Sequence, residues 1–337
     1  MSRSLTISQT IVSKIYWTQL HAKLHKTLRQ QSLLPPKEKV LVAVSGGQDS
    51  LCLGKLLLDL QSKWHWQIAI AHCDHQWSTD KGIADRVGEV ADAWQLPFYL
   101  KIADVLEETE AAARAWRYQA LIEIARSNGF NYIVTGHTKS DRAETFLYNL
   151  VRGAGADGLA ALSWQRPLTD NITLVRPLLD VYRRETLEFC HQFDLPIWFD
   201  VVNENNKYAR NRIRNELIPY LQNNFNPQVE GSLAQTAELL KADVEYLEAS
   251  AKEILIQATI DSHKLDRTIL KTVPLAIQRR AIRQFLPTVI SRQPTFAQIE
   301  AVVNLIDAPN KSRTSTLPGD AIAEVAGQWI VFIVVPS

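Results

Sequence analysis

The chain has 337 residues, 46% of them hydrophobic and 22% charged, with a formal net charge of +1. At roughly 150 residues per domain this predicts two domains, and it excludes wholesale disorder, a collagen repeat and, with no run of ~18 uncharged apolar residues, a membrane span. Three cysteines, Cys52, Cys73 and Cys190, with no CxxC pair exclude a disulfide framework and fit a reducing cytoplasm. Residues 1–39 hold seven Lys/Arg against Glu38 alone, and a basic helix is expected over about 8–32. Such an N-terminus also admits organelle import as a minor reading. From about 39 to 160 strands and helices alternate. EKVLVAVSGG reads as a strand buried on both faces, and DSLCLGKLLLDLQSK as a helix. WQIAIAHCDH is the next strand, followed by a helix with Ile83, Val87, Val90 and Ala91 on one face. PFYLKI is a strand, EAAARAWRYQALIEIARSNGF a helix stopped at Asn128-Gly129, NYIVTGH a strand and SDRAETFLYNLVRG a helix. Such units imply a doubly wound parallel sheet, with ligands beyond the carboxyl ends of its strands. Short strands and the helix RRETLEFCHQF follow, then helices broken at Asn226-Pro227, helices over 273–287 and 295–306, and strands ending in QWIVFIVV. The division is expected between residues 1–215 and 216–337, good to about ten residues. Trp17, Trp94, Trp164 and Trp329 sit in apolar contexts and are expected in the core.

The strongest local signal is Ser45-Gly46-Gly47-Gln48-Asp49-Ser50, between a strand and a helix. Two glycines let the backbone turn tightly, and a helix N-terminus offers free N–H groups and partial positive charge to an anion. Ser45 and Ser50 can donate to phosphate oxygens, whereas Asp49 would repel a bare phosphate and points to a bridging Mg²⁺. The Walker lysine is absent. A tight turn with a Ser/Asp cap is the plainer alternative.

This loop resembles the pyrophosphatase loop of the N-type ATP pyrophosphatases, the PP-loop family. The resemblance implies an α/β fold of the adenine nucleotide α-hydrolase-like type, followed by a helical domain and a small C-terminal α+β part. It implies cleavage of ATP between its α- and β-phosphates, with His72, Gly136 and His137 joining Ser45, Gly46, Gly47, Gln48, Asp49 and Ser50 around the nucleotide. The later motifs run His72-Cys73-Asp74-His75, Arg114-x-x-Arg117-Tyr118, Gly136 to Thr145, LVRGAGADGL (150–159), RPLLDVYRRE (176–185) and RNRIRNELIPYL (210–221). In this order they are similar to the lysidine-forming tRNA ligases of that family over about residues 38–225. That branch implies free L-lysine and a tRNA(Ile) with a CAU anticodon as substrates. ATP adenylates the carbon-2 oxygen of the wobble cytidine, the lysine ε-amine attacks carbon 2, and AMP leaves; the product lysidine pairs with A instead of G.

The residues suit that chemistry. Arg114 is the candidate for the α-phosphate or the adenylated base, with Arg117 second, because a guanidinium stays charged and binds phosphate bidentately. A solvated charge on an exposed helix face is the alternative for each. Asp141 and Glu144, three apart at a helix start, share a face and can clasp the lysine ammonium; the alternative is an acidic first turn serving its own helix. His72, His75 and His137 are expected to line the nucleotide or base pocket rather than bind zinc. Arg184, Arg210, Arg212 and Arg214 are the candidate tRNA contacts, with Tyr182 and Tyr208 as stacking platforms. Family members usually have Leu-Arg after the HxxH element where this chain has Trp77-Ser78, leaving Lys81 or Arg86 to supply the cation, and Ser140 replaces an acid or amide. The rival readings are a tRNA thiolase of the same fold, which isolated cysteines disfavour, and a non-catalytic RNA- or nucleotide-binding relic. No membrane contact is expected, and the oligomeric state is left open, a homodimer included.

Overall fold

Lys39–Ala43 form the first strand, β1, in which Val40, Leu41 and Val42 are fully buried. A strand apolar on both sides needs cover on both faces, which alternating helices supply. The computed structural model describes residues 16–77, 80–104, 106–107, 109–160, 162–198, 209–290 and 292–334. Arg3, Lys14, Ser78, Lys207 and Tyr208 lie outside the described residues, as does the first part of the basic helix expected over 8–32. In chain order the elements are α1 (Gln19–Gln30), β1, α2 (Gln48–Trp64), β2 (Gln67–Asp74), α3 (Ile83–Ala93), β3 (Phe98–Ile102), α4 (Glu110–Asn128), β4 (Tyr132–Val134), α5 (Lys139–Val151), α6 (Ala156–Leu159), β5 (Gln165–Thr169), β6 (Ile172–Val175), α7 (Arg183–Gln192), α8 (Ala209–Arg212), a π-helical turn (Ile213–Leu217) and α9 (Ile218–Asn224). A long helix, α10 (Val229–Ala258), follows, and within it the chain divides into two compact units, one up to Ala237 and one from Glu238.

The first unit holds a six-stranded sheet in the order β3-β2-β1-β4-β6-β5. Its strands are parallel except β5, which runs antiparallel to β6. The expected doubly wound parallel sheet is present and carries one antiparallel strand at its edge. The cause is local: only Asp170-Asn171 separates β5 from β6, and so short a link permits a hairpin but no crossover. The strand alternation of β1 splits the core. Val40 and Val42 pack with α1, α2, α3 and α7 on one face, and Leu41 packs with α4 on the other. β1 lies between β2 and β4, where the strand order reverses, so a crevice opens beyond its carboxyl end.

The helix ends follow their sequence signals. Gly129 closes α4 in the left-handed conformation at φ +70°, and Thr109 caps its start by accepting from the Ala112 N–H. Trp164 is buried, but Trp17, expected in the core, is 45% exposed: it lies ahead of the Thr18 cap of α1, stacked on His21 with Lys63 over its ring.

The second unit contains β7 (Thr259–Asp261), β8 (Lys264–Asp266), α11 (Arg267–Lys271), α12 (Leu275–Phe285), α13 (Phe296–Val303), β9 (Ala321–Ala326) and β10 (Trp329–Val334). Its sheet is antiparallel, ordered β7-β8-β10-β9. Ile282, Phe285, Val302, Val325, Ile330 and Phe332 belong to a core of its own.

Candidate active site

The loop between β1 and α2 is shaped by its small residues. Gly46 sits at φ +84°, and a Cβ there would come 2.9 Å from the Ile83 side chain. The Ser50 hydroxyl accepts from the Ser45 N–H at 3.1 Å and donates to the Gly47 carbonyl at 2.9 Å, with the Ser45 hydroxyl 3.3 Å away. The turn is thus tied by its own serines at the N-terminus of a 17-residue helix, where an anion is favoured. Gly136 packs directly on this turn: its Cβ would lie 2.8 Å from the Asp49 carbonyl. Its absence of a side chain is what lets the β4–α5 loop reach the helix start.

Asp49, Asp141 and Glu144 converge on one side chain. The Arg183 guanidinium donates through Nε to Asp49 at 3.2 Å, through Nη1 to Glu144 at 2.7 Å and through Nη2 to Asp141. Three elements, α2, α5 and α7, are joined by a single cation. Glu144 also receives a bidentate pair from Arg214, 2.8 and 2.9 Å. Asp141 completes the capping box of α5, accepting from the Thr138 N–H and hydroxyl, both at 2.7 Å. The two roles foreseen for it, helix cap and member of an acid pair, therefore fall on different oxygens of one carboxylate. Burial raises the Asp141 carboxyl, but Arg183, His137 and the Thr138 hydrogen bonds outweigh it and bring it down to about 2. Asp49 goes the other way: burial, aided by Asp141, holds it above the ordinary carboxylate value against Arg183 and Thr186. Three carboxylates facing two guanidiniums leave one negative charge in the pocket, suited to one further cation.

Arg183 was not singled out from the sequence, where its neighbour Arg184 was named as a candidate tRNA contact. The doublet Arg183-Arg184 in RPLLDVYRRE was the available signal, and the start of α7 gives its two members different surroundings. Arg183 points inward, and Arg184 is exposed and lies over the Tyr182 ring at 4.5 Å. Gln48, expected to face the nucleotide, donates its side-chain amide to the Arg183 carbonyl at 2.8 Å and to Thr186 at 3.2 Å. Thr186 in turn donates to Asp49, and the Cys190 thiol donates to the Gln48 carbonyl at 3.3 Å. The start of α2 is thereby stitched to α7.

The three histidines are neutral. His72 lies beside the Val44 carbonyl, 2.7 Å from Nδ1, and burial lowers its pKa. His75 is lowered by burial too; its ring meets Arg117 at 3.3 Å and Asp80 at 3.4 Å, and Trp77 and Trp116 pack against it. His137 is pushed down to about 3, mainly by burial, with its Nδ1 2.9 Å from the Thr135 hydroxyl. Arg114 sits on α4 over the Tyr118 ring at 5.2 Å, and its charge is felt at His137. Arg86 lies over Trp198.

The basic cluster of 210–214 is spread rather than gathered on one face. Arg210 pairs with Glu110 at 2.6 Å, and Arg214 turns inward to Glu144. The π-helical turn that begins at Ile213 shifts the register expected of a regular helix. Among the described residues no group of three or more His, Cys, Asp or Glu encloses a metal site. A Mg²⁺ carried by nucleotide phosphates needs only one or two carboxylates; Asp49, the carboxylate at the start of α2, has its two oxygens bonded by Arg183 and Thr186.

The PP-loop domain family matches residues 17–221. The chain is 55% identical over 331 residues to a Nostoc sp. protein named tRNA(Ile)-lysidine synthase, covering 94% of this chain and 97% of that one. It is 52% identical to the protein of that name from Synechocystis sp., covering 94% and 98%. A chloroplastic tRNA(Ile)-lysidine synthase of Zygnema circumcarinatum is 35% identical, covering 98% and 96%. Among solved structures, the U34-tRNA thiolase NcsA of Methanococcus maripaludis superposes with a TM-score of 0.56 at 17% identity, over 66% of this chain and 77% of that one, a likeness of fold.

Proposed function

The chain belongs to the tRNA(Ile)-lysidine synthases of the PP-loop family, and from that membership we propose which of its residues carry the ATP-dependent modification of its tRNA. The triphosphate lies on the Ser45–Ser50 turn against the start of α2. Asp49 would hold a Mg²⁺ there, whose charge would neutralise the phosphates. Arg114 meets the α-phosphate as the carbon-2 oxygen of the wobble cytidine attacks it and pyrophosphate leaves. Attack by so weak a nucleophile needs charge stabilisation more than a base. The lysine ammonium seats on Asp141 and Glu144. Arg183 and Arg214 beside those carboxylates oppose the cationic form and favour loss of its proton, which is needed because the free amine has a pKa near ~10.4. The neutral ε-amine then adds to carbon 2, and AMP leaves with the oxygen it activated.

One observation carries this reading: a single guanidinium, Arg183, touches the carboxylate of the phosphate loop and both carboxylates of the lysine pair. That contact supports seating nucleotide and amine side by side. The test is incorporation of labelled lysine into an unmodified isoleucine CAU-anticodon transcript with ATP and Mg²⁺, with the methionine transcript as control. Label on the isoleucine transcript alone is expected. Release of pyrophosphate without lysine incorporation would reject lysine as nucleophile. A sulfur-transferring alternative is disfavoured by the thiols: all three are buried, and burial raises Cys52 well above its ordinary value and Cys73 to about 11. Those free cysteines also support a cytoplasmic setting. Among the described residues no helix is long and apolar enough to cross a membrane.

A further inference from the structure

A second cationic centre lies beside the site and takes no part in the carboxylate cluster. Arg114 and Tyr118 stand one turn apart on α4. Arg166 on β5 is opposite Leu174 on β6, and Leu174 packs with Leu121 and Ile124 of α4. Residues opposite one another, and those two further along a strand, share a sheet face, so Arg166 and Arg176 both project toward α4. They meet at Tyr118: Arg114 and Arg166 each lie 5.2 Å from its ring centre, and the charge of Arg176 acts on its hydroxyl. Among the described residues, no carboxylate forms an ion pair with any of the three.

Two features separate this cluster from a solvated basic patch. Arg176 is only 2% exposed, and although its Nη1 donates to the Ser163 carbonyl at 2.8 Å, its Nε is buried without a hydrogen-bond partner. A buried guanidinium with an unmet donor and no counter-charge is costly unless an anion completes it. The Tyr118 hydroxyl also responds to the excess charge. Burial raises its pKa, yet Arg114, Arg176 and Arg166 together hold it below the ordinary phenol value.

We propose that Arg166 and Arg176, gathered with Arg114 round Tyr118, form a phosphate-binding site beside the Ser45–Ser50 turn, with Arg114 shared between it and the α-phosphate, and that its occupant is a phosphodiester of the tRNA beside the target cytidine. A phosphate oxygen is the shared chemistry; the strand order argues for RNA as its source. β5 stands three positions from β1, about 14 Å across the sheet, beyond the anion seat at the start of α2. Arg166 is exposed on the edge strand, open to a large ligand, whereas the charges of Arg176 and Arg114 also act on His137. The occupant rests on the reading of the chain as a tRNA-modifying ligase; the site itself rests on the cluster.

The test is Arg166→Gln, on an exposed strand position where folding is preserved, with Arg166→Lys as the conservative variant. Binding of the isoleucine transcript is measured directly by filter retention across a salt series, and the KM values for tRNA and ATP are measured separately. The expected result is a tRNA Kd weakened about tenfold in the Gln variant, as for loss of one charge-assisted bond. The slope of log K against log salt should fall by about 0.7, with an unchanged ATP KM and partial recovery in the Lys variant. A raised ATP KM with normal tRNA binding would transfer the site to the nucleotide and overturn the RNA assignment. Unchanged tRNA binding and slope would overturn the proposal altogether. Failure of the parent protein to incorporate lysine while the Gln variant still weakens RNA binding would count against the ligase reading alone.

Discussion

Arg183 holds three like charges together, so its removal leaves Asp49, Asp141 and Glu144 facing one another across a partly buried pocket. Breaking a buried pair on one side costs about 3–5 kcal/mol, and partial exposure here reduces this to about 2–3 kcal/mol. Arg183→Gln is therefore expected to lower the urea midpoint, with stability reduced by that amount, and to abolish lysine transfer, whereas Arg184→Gln leaves stability within about 0.5 kcal/mol. A midpoint equal for the two variants would show that the pocket does not depend on Arg183. Asp141→Asn should raise the lysine KM while tRNA-dependent adenylation continues; lysine dependence equal to that of the parent would remove Asp141 from the amine site. The histidines set a pH dependence. His137, at about 3 in the folded chain, and His72, also lowered by burial, stay neutral while the imidazoles of the unfolded chain, ordinary at ~6.5, take up protons. Stability is thus full above pH ~6.5 and declines as pH falls below it, by up to about 1.4 kcal/mol per pH unit for each such group. Denaturant midpoints at about pH 7.5 and 5.5 should show the decline, and His137→Gln should lessen it.

At the scale of elements, the site depends on how closely three helix starts approach. Gly136 marks the tightest approach, against the Asp49 backbone. Gly136→Ala should push the β4–α5 loop off the start of α2, lowering kcat with stability reduced by about 1–3 kcal/mol; a normal kcat in the folded variant would mean that the loop spacing is not needed. The helices and strands themselves were legible because their signals are local: the apolar run of β1, the Ile83-Val87-Val90-Ala91 face and the Asn128-Gly129 stop. Asp141 and Glu144 were legible for the same reason, since i,i+3 spacing fixes a shared face before any packing is known. The part of Arg183 in the cluster was not, because neighbouring residues differ only in which side of α7 meets α2 and α5. The inward turn of Arg214 was hidden too, since a π-helical turn leaves no mark in the periodicity. The antiparallel β5 was readable in principle from Asp170-Asn171, a two-residue link between strand-like runs.

For the whole molecule, each unit has a separate hydrophobic core: Leu53, Leu57 and Ile70 are buried in one, Ile282, Phe285 and Phe332 in the other. Independent cores predict two calorimetric transitions rather than one. ATP with Mg²⁺ should raise only the transition of the unit that holds the phosphate loop, by about 2.7 kcal/mol of stability at a hundredfold excess over Kd. A single transition that moves as one with nucleotide would show the units to be energetically inseparable. This division also separates the roles, since every residue assigned here to ATP or lysine lies before Ala237.

The seam between α2 and α7 has a consequence for labelling chemistry. Cys52 and Cys190 are wholly buried there, and Cys190 bonds the Gln48 carbonyl one residue before Asp49. A thiol-alkylating reagent can reach them only when the seam opens, so their modification rate is a clock for opening of the helix junction that carries Asp49 and Arg183. Cys73, buried on β2 with its sulfur 4.0 Å from the Arg117 carbonyl, is a reference within the same chain. Nucleotide should slow the clock at Cys52 and Cys190 more than at Cys73, and mass spectrometry of the modified peptides would read the two rates side by side.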